Sequence, residues 1–356
     1  MTYPWQSRKV TVTGGASFIG STLVDALLAR GATVRVVDDF SSGVMSNIQH
    51  VVDNGSVELV TGNLLDPDVS RRAVDGVDTV FHLAADHGGR GYVDLHQYAC
   101  STNLGLDAIL FKNVVDAGVE QVVYASSGCI YPLYLQADVG ETLYLTEDME
   151  KAPGYDPDGL YGLAKVAAEL TLRAMHNEFG VKTASCRYFT VYGPRGVENH
   201  AVIAMIARSF LKQDPFYVWG NGEQIRNWTY VDDIVEGTIR SAENIEDGTA
   251  VNLGTMERVR VMDAVKMVCQ MAGYDPAIVL QPDMPTGPMN RVADNSLAKR
   301  LLGWEPQVLF EEGLRRTFDW YVSTKDADEV RAIFDFMLTE RGTPVPKATV
   351  FAASEN

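Results

Sequence analysis

The chain has 356 residues, 46% of them hydrophobic, enough to bury a large core in one big α/β unit or two joined domains. A formal net charge of −17 argues against a surface for nucleic acid or anionic membrane, although 30 Lys and Arg residues leave room for one local anion pocket. The sequence has no apolar signal region and no run of eighteen apolar residues. Its four cysteines (Cys100, Cys129, Cys186, Cys269) lie far apart without a CxxC pair, so a soluble cytoplasmic protein with neither disulfide framework nor metal site is expected.

Lys9 to Thr13 reads as a strand running into TVTGGASFIGS, then an amphipathic helix to about Arg30 and a second strand, Thr33 to Val37. In this βαβ context the glycine turn reads as a dinucleotide site, its amides and the helix amino terminus facing a pyrophosphate. Gly14 and Gly20 hold the ends of a GxxGxxG spacing, with Ser17 in the middle place and its hydroxyl a candidate phosphate ligand. Asp38 ends the second strand, where an acid binds ribose hydroxyls and repels a 2′-phosphate, which favours NAD over NADP. Asp39 competes for that role. The strand Val57 to Thr61 is followed by Asn63 and Leu64, placed to flank an adenine ring.

A helix from about Asp66 to Asp75 precedes the strand Thr79 to Leu83, which opens into AADHGGRGY, Ala84 to Tyr92. Ala84 and Ala85 leave room for a flat cofactor, and the glycines with Arg90 make a loop able to touch an anionic or hydroxyl-rich ligand. His87 is either a loop residue or a proton carrier. A long helix, about His96 to Ala117, leads to VVYASSGCIYP, Val122 to Pro132. There a buried strand breaks into Ser126, Ser127, Gly128 and Cys129 at its carboxyl end, where open α/β sheets bind ligands. In YGLAK, Tyr161 and Lys165 share one face of a helix running to about Phe179. A nearby ammonium, and in the holoenzyme a cationic nicotinamide, would lower the phenol's pKa and make Tyr161 a usable general base.

TGGxxFIG, Asp38, HLAA, Ser126–Ser127, YxxxK, RYFTVYGPR (Arg187 to Arg195), WGNGEQIRNWTYVDD (Trp219 to Asp233) and VNLG (Val251 to Gly254) occur in order. From about Arg8 to Tyr321 the chain thus resembles the extended short-chain dehydrogenase/reductases of the nucleotide-sugar epimerase and dehydratase group. AADHGGRG and SSGCIYP are most similar to GDP-mannose 3,5-epimerases. The resemblance implies an α/β fold: a Rossmann-type doubly wound parallel sheet, residues 1–185, with a strand near 250–253 returning to it. A smaller α/β substrate-binding domain over 186–325 and a tail over 326–356 complete it. The tail holds a short helix, Asp326 to Leu338, and TPVPKATVFAASEN, from Thr343, is expected either to be disordered or to cross to a partner subunit.

The resemblance also implies NAD as cofactor, a nucleotide-diphosphate sugar as substrate, and a homodimer built on the helices near His96 to Ala117 and Tyr161 to Phe179. NAD contacts are expected from Gly14, Ser17, Phe18, Ile19, Gly20, Asp38, Asn63, Leu64, Leu83, Ala84, Ala85, Asn103, Ser126, Tyr161, Lys165 and Tyr188. Substrate contacts are expected from Gly88, Arg90, Ser127, Thr190, Asn199, His200, Trp219, Arg226 and Arg291, the last two arginines gripping the diphosphate. Tyr161 would take the sugar O4 proton as C4 gives hydride to NAD, with Ser127 on that oxygen and Lys165 on the nicotinamide ribose. Cys129 would move a proton at C3 or C5 of the 4-ketone; the other three cysteines are assigned to packing.

Related 4,6-dehydratases carry an Asp-Glu pair where this chain has Gly128 and Cys129, which disfavours dehydration. The related 3,5-epimerase takes a second acid, a lysine, from the loop that is here GVENHAVIA. That loop offers Glu198, Asn199 and His200 instead, so either His200 substitutes or fewer centres invert. Thr190 replaces an asparagine usual in the family. The alternatives are a UDP-sugar 4-epimerase, a sugar-acid decarboxylase of the same family, and a non-enzymatic NAD-sensing protein.

Overall fold

The computed structural model describes residues 3–154 and 156–340; the segment from Thr343 lies outside them. Seven strands, β1 Lys9–Thr13, β2 Thr33–Asp38, β3 Val57–Thr61, β4 Thr79–His82, β5 Gln121–Ser127, β6 Lys182–Tyr188 and β7 Asp247–Leu253, form one parallel sheet ordered β3-β2-β1-β4-β5-β6-β7. The order reverses between β1 and β4, the switch point at which such sheets leave a crevice at their carboxyl ends. Every residue of β4 and β5 is buried, as expected of parallel strands covered on both faces.

Helices Phe18–Ala29 and Val231–Asn244 cover one face through Leu23, Val24, Leu27, Ile234, Val235 and Ile239. Helices Pro67–Val74, Asn103–Ala117 and Gly159–Phe179 cover the other through Val74, Leu106, Leu110, Val114 and Leu172. The sheet draws its seventh strand from late in the sequence, and β6 runs on to Tyr188, three residues past the expected boundary at 185. The carboxyl ends of β5, β6 and β7 stand level, Ser127 beside Tyr188 and Tyr188 beside Leu253.

The single helix expected over His96 to Ala117 is two pieces, Gln97–Ser101 and Asn103–Ala117, preceded by a short helix, Arg90–Leu95. His96 leaves helical geometry at φ −119° and ψ 46°, which separates Arg90–Leu95 from Gln97–Ser101. A second core, including Ile203, Ile206, Val218, Trp228, Val265 and Leu314, gathers helices Ala201–Phe210, Val261–Ala272 and Phe310–Thr324 with short strands. Helix Ala327–Met337 adds Val330 and Phe334 to it. No helix among the described residues is long and apolar enough to cross a membrane.

Candidate active site

After β1 the chain turns at Gly14, φ 69°, into helix Phe18–Ala29. A Cβ on Gly20 would stand 2.1 Å from the Gly14 carbonyl oxygen, so the helix closes onto the turn only with glycine there. Phe18 and Ile19, half-buried in the first helical turn, pack against the core beneath. Beside the turn opens a cavity of about 300 Å³, lined by Gly14, Ser17, Asp38, Asp39, Asn63, Leu64 and the run Leu83 to His87. This size suits part of a small ligand. Asp38 is buried at its wall, accepting from the amides of Ala16 and Phe40 at 2.9 Å each. Asp39 accepts from the Ser41 amide and from Asn63 Nδ2, so it closes the following turn. A glycine cradle, small alanines and a fixed acid at the end of β2 fit an adenine dinucleotide.

Four hydroxyl or amide groups expected at the cofactor have hydrogen-bond partners within the protein. The Ser17 hydroxyl donates to the Gly14 carbonyl at 2.6 Å, closing the turn at the cavity wall. Asn103 accepts from the Asp86 amide at 2.6 Å and donates to the Asp86 carbonyl at 2.9 Å, clamping the loop. Ser126 donates to Glu169 at 2.5 Å, beside the buried Arg187–Glu169 pair. The Tyr188 hydroxyl meets Thr238 Oγ1 at 2.8 Å on helix Val231–Asn244.

The loop from Ala84 to Tyr92 presses against GVENHAVIA. A Cβ on Gly89 would fall 1.5 Å from the Asn199 carbonyl oxygen, and the His87 and His200 rings stand 6.3 Å apart. Gly88 lies against Tyr92, and Trp219 edges Gly91. Burial pushes His200 down to about 4, leaving it neutral near pH 7. Asn199 Nδ2 donates to the Glu340 carbonyl, while its Oδ1 is buried with no hydrogen-bond partner among the described residues. Glu198 is occupied by the Tyr321 hydroxyl and Lys325. Thr190 is half-buried, its carbonyl accepting from the Thr229 amide.

Helix Gly159–Phe179 brings Tyr161 and Lys165 to the end of β5. Lys165 is buried, donates to the Ala125 carbonyl at 2.8 Å, and stands 5.5 Å from the Tyr161 ring centroid. The ammonium beside Tyr161 does not by itself lower the phenol's pKa. Burial, with Cys129 and Cys100, pushes the Tyr161 phenol up, and the Ser127 hydroxyl opposes this only in part. The physical reason is that the ammonium lies over the ring, and burial penalises a phenolate. Burial also pulls Lys165 down, against Asp107, Cys129 and Glu169. Ser127 Oγ accepts from the Cys129 amide at 3.1 Å, fixing the turn after β5.

Cys129 is half-buried, whereas Cys100, Cys186 and Cys269 are buried, burial pushing the Cys186 thiol up to about 12. Arg291 donates to Cys129 Sγ at 3.2 Å, to Gln136 Oε1 at 2.7 Å and to Asp158 Oδ2 at 3.0 Å. Arg90 also grips Asp158, through Nη1 at 2.8 and 3.0 Å, and pairs with Asp94. Burial raises the Asp158 carboxyl, but Arg291 and Arg90 outweigh it and hold it below the usual range. Arg226 donates to the Ile225 and Thr286 carbonyls at 2.8 Å each. Burial, and after it the charges of Arg291 and Arg90, push it down to about 9. Asp158 and Gln136 were not anticipated from the sequence; the signal for Asp158 was an acid three residues before Tyr161, at the amino terminus of the helix.

A family model described as NAD dependent epimerase/dehydratase matches residues 10–254. GDP-mannose 3,5-epimerase of Arabidopsis thaliana is 30% identical over 331 residues, covering 89% of this chain and 83% of its own length. Among solved structures, the UDP-glucose 4-epimerase of Thermotoga maritima with UDP-glucose superposes with a TM-score of 0.79 at 29% identity, covering 89% of this chain and 99% of its own. The UDP-glucuronic acid 4-epimerase of Bacillus cereus, in complex with UDP-glucuronic acid and NAD, gives 0.79 at 27% identity, covering 89% and 100%.

Proposed function

The chain belongs to the NAD dependent epimerase/dehydratase family, and we propose that it is a nucleotide-sugar epimerase working through a transient 4-keto sugar, with Cys129 as an additional acid/base. The observation that carries this reading is the meeting of Tyr161, Ser127 and Lys165 with a half-buried Cys129 that receives a hydrogen bond from Arg291.

NAD, when bound, supplies a hydride acceptor and then a hydride donor at the sugar C4. Gly14, Gly20, Asp38 and the Leu83–Ala85 backbone would hold it. Before turnover Tyr161 must release its phenol proton to solvent, which burial opposes and the cation of bound NAD would favour; the phenolate then accepts the O4 proton and returns it, and Ser127 orients that oxygen. The 4-ketone acidifies C3 and C5, and Cys129 removes or returns a proton there; a charge-assisted donor on sulfur favours this chemistry. Arg90, Arg226 and Arg291 surround the place where a diphosphate would be neutralised. The exposed apolar side chains Leu95, Tyr98, Leu104, Leu160, Leu163 and Leu170 support a homodimer on the predicted helices.

A second reading, inversion at C4 alone, draws on His200. Burial leaves it a weak base, and no lysine stands in its loop to serve the opposite ring face. The deciding experiment incubates the protein with UDP-, GDP-, CDP- and dTDP-sugars in deuterated water, followed by mass and proton NMR. Deuterium at C3 or C5 supports proton exchange; conversion without it leaves C4 epimerisation; no conversion of any sugar rejects both.

A further inference from the structure

Beneath the site runs a buried hydrogen-bonded chain that the reaction above does not use. Thr13 Oγ1 accepts from the amides of Leu83 and Ala84 at 3.1 Å each and lies 2.7 Å from His82 Nδ1. His82 Nε2 lies 2.9 Å from Asp107 Oδ1, and the Tyr124 hydroxyl donates to Asp107 Oδ2 at 2.9 Å. All four side chains are buried. With two amides donating into Thr13 Oγ1, the hydroxyl proton goes to His82 Nδ1. His82 then carries its own proton on Nε2 and donates it to Asp107. The Asp107 carboxylate thus accepts on both oxygens, and among the described residues no Lys or Arg stands within ion-pairing distance of it.

We propose that Asp107 is a positioning residue for Tyr161 and Lys165: its buried charge balances the Lys165 ammonium, and through His82 and Thr13 it fixes the Leu83–Ala84 backbone lining the cavity. This rests on Tyr161 and Lys165 being the reacting pair. The groups facing Lys165 are Asp107 from helix Asn103–Ala117, Tyr124 and Cys129 from β5 and the turn after it, and Tyr161 and Glu169 from its own helix. Those facing Asp107 are His82 from β4, Tyr124 from β5, and Tyr161 and Lys165. Glu169 is already paired with Arg187, so Asp107 is the carboxylate here without a guanidinium of its own. Burial pulls Lys165 down, and Asp107 is the largest influence opposing it. The same charge helps to push Tyr161 up, behind burial, Cys129 and Cys100.

Asp107→Asn keeps the shape and removes the charge, so both groups should release their protons at lower pH. In NAD-loaded protein, ultraviolet difference titration of phenolate, with Tyr161→Phe subtracted, follows Tyr161. Calorimetric NAD affinity across the same pH range, with Lys165→Met as reference, follows Lys165. The expected result is a midpoint at least about one pH unit lower in Asp107→Asn, and a smaller change in His82→Gln, which leaves the charge in place. A variant with wild-type circular dichroism in which neither midpoint falls overturns the assignment. If Asp107→Asn does not fold, the double variant with Tyr124→Phe removes the hydroxyl that would face the new amide and carries the same test. Neither titration needs a sugar, so failure to find a substrate rejects the catalytic reading separately.

Discussion

Arg291 Nη1 donates to Cys129 Sγ at 3.2 Å across 162 residues of sequence, while Nη2 of the same guanidinium meets Asp158. One side chain therefore links the candidate acid/base to the arginine cluster proposed for the diphosphate. Arg291→Gln is expected to weaken sugar-nucleotide binding and slow carbon–proton exchange together. Truncating one partner of a buried, hydrogen-bonded charge pair costs about 2–5 kcal/mol. Calorimetry with the substrate sugar nucleotide and deuterium exchange check this; full exchange at saturating substrate would confine Arg291 to binding.

Cys129→Ser separates the two half-reactions. Carbon-bound exchange at C3 and C5 is expected to fall by about 10²–10⁴, the contribution of a positioned acid/base. Oxidation at C4 draws on Tyr161, Ser127 and Lys165 and not on Cys129, so the absorbance of reduced cofactor should still appear on adding substrate. Undiminished exchange in this variant would return Cys129 to a packing role.

Gly20→Ala places a methyl group 2.1 Å from a backbone carbonyl that cannot move without opening the turn. Overpacking of this kind costs about 1–3 kcal/mol, and NAD affinity should fall with it. Urea denaturation with and without NAD gives both quantities. A variant of wild-type stability and affinity would show that the turn has room to shift.

The pH dependence of stability carries a signature of His200. Its folded pKa, about 4, lies below the value of about 6.5 for an exposed histidine. The unfolded chain takes up the proton first, so the stabilisation is complete above about pH 6.5 and is lost as pH falls through about 4. His200→Gln, which cannot be protonated, should lose less stability than wild type between pH 7 and pH 5 in urea titrations. Equal losses would mean that His200 is solvated in the folded protein.

Much of this was legible from local pattern. The glycine turn followed by an apolar helix, the acid ending β2 and the Tyr161–Lys165 pair each depend on neighbours a few residues away, and their elements stand where spacing places them. What the pattern did not reveal was the direction of polar side chains. Asn103 turns to Asp86, Ser126 to Glu169 and Tyr188 to Thr238, and each choice depends on which helix lies over the strand. Gln136 and Asp158 reach Arg291 across 155 and 133 residues, beyond the range of any periodicity. The same applies to the Tyr161 phenol, whose pKa is raised by burial despite the ammonium that sequence spacing placed beside it.

The late arrival of β7 has a consequence for the order in which the protein becomes competent. Asn252, on that strand, accepts from the Tyr131 hydroxyl and donates to the carbonyls of Leu145 and Asp294. The segment that follows Cys129 is thus anchored by a residue 121 positions later, a contact whose loop-closure entropy is met only after most of the sheet has formed. On a ribosome the nucleotide cradle of β1 to β4 is complete long before this anchor emerges. Pulse-labelled hydrogen exchange during refolding should find β1 and β4 amides protected before those of residues 129–145. Simultaneous protection would mean that the turn after β5 orders without its distant support.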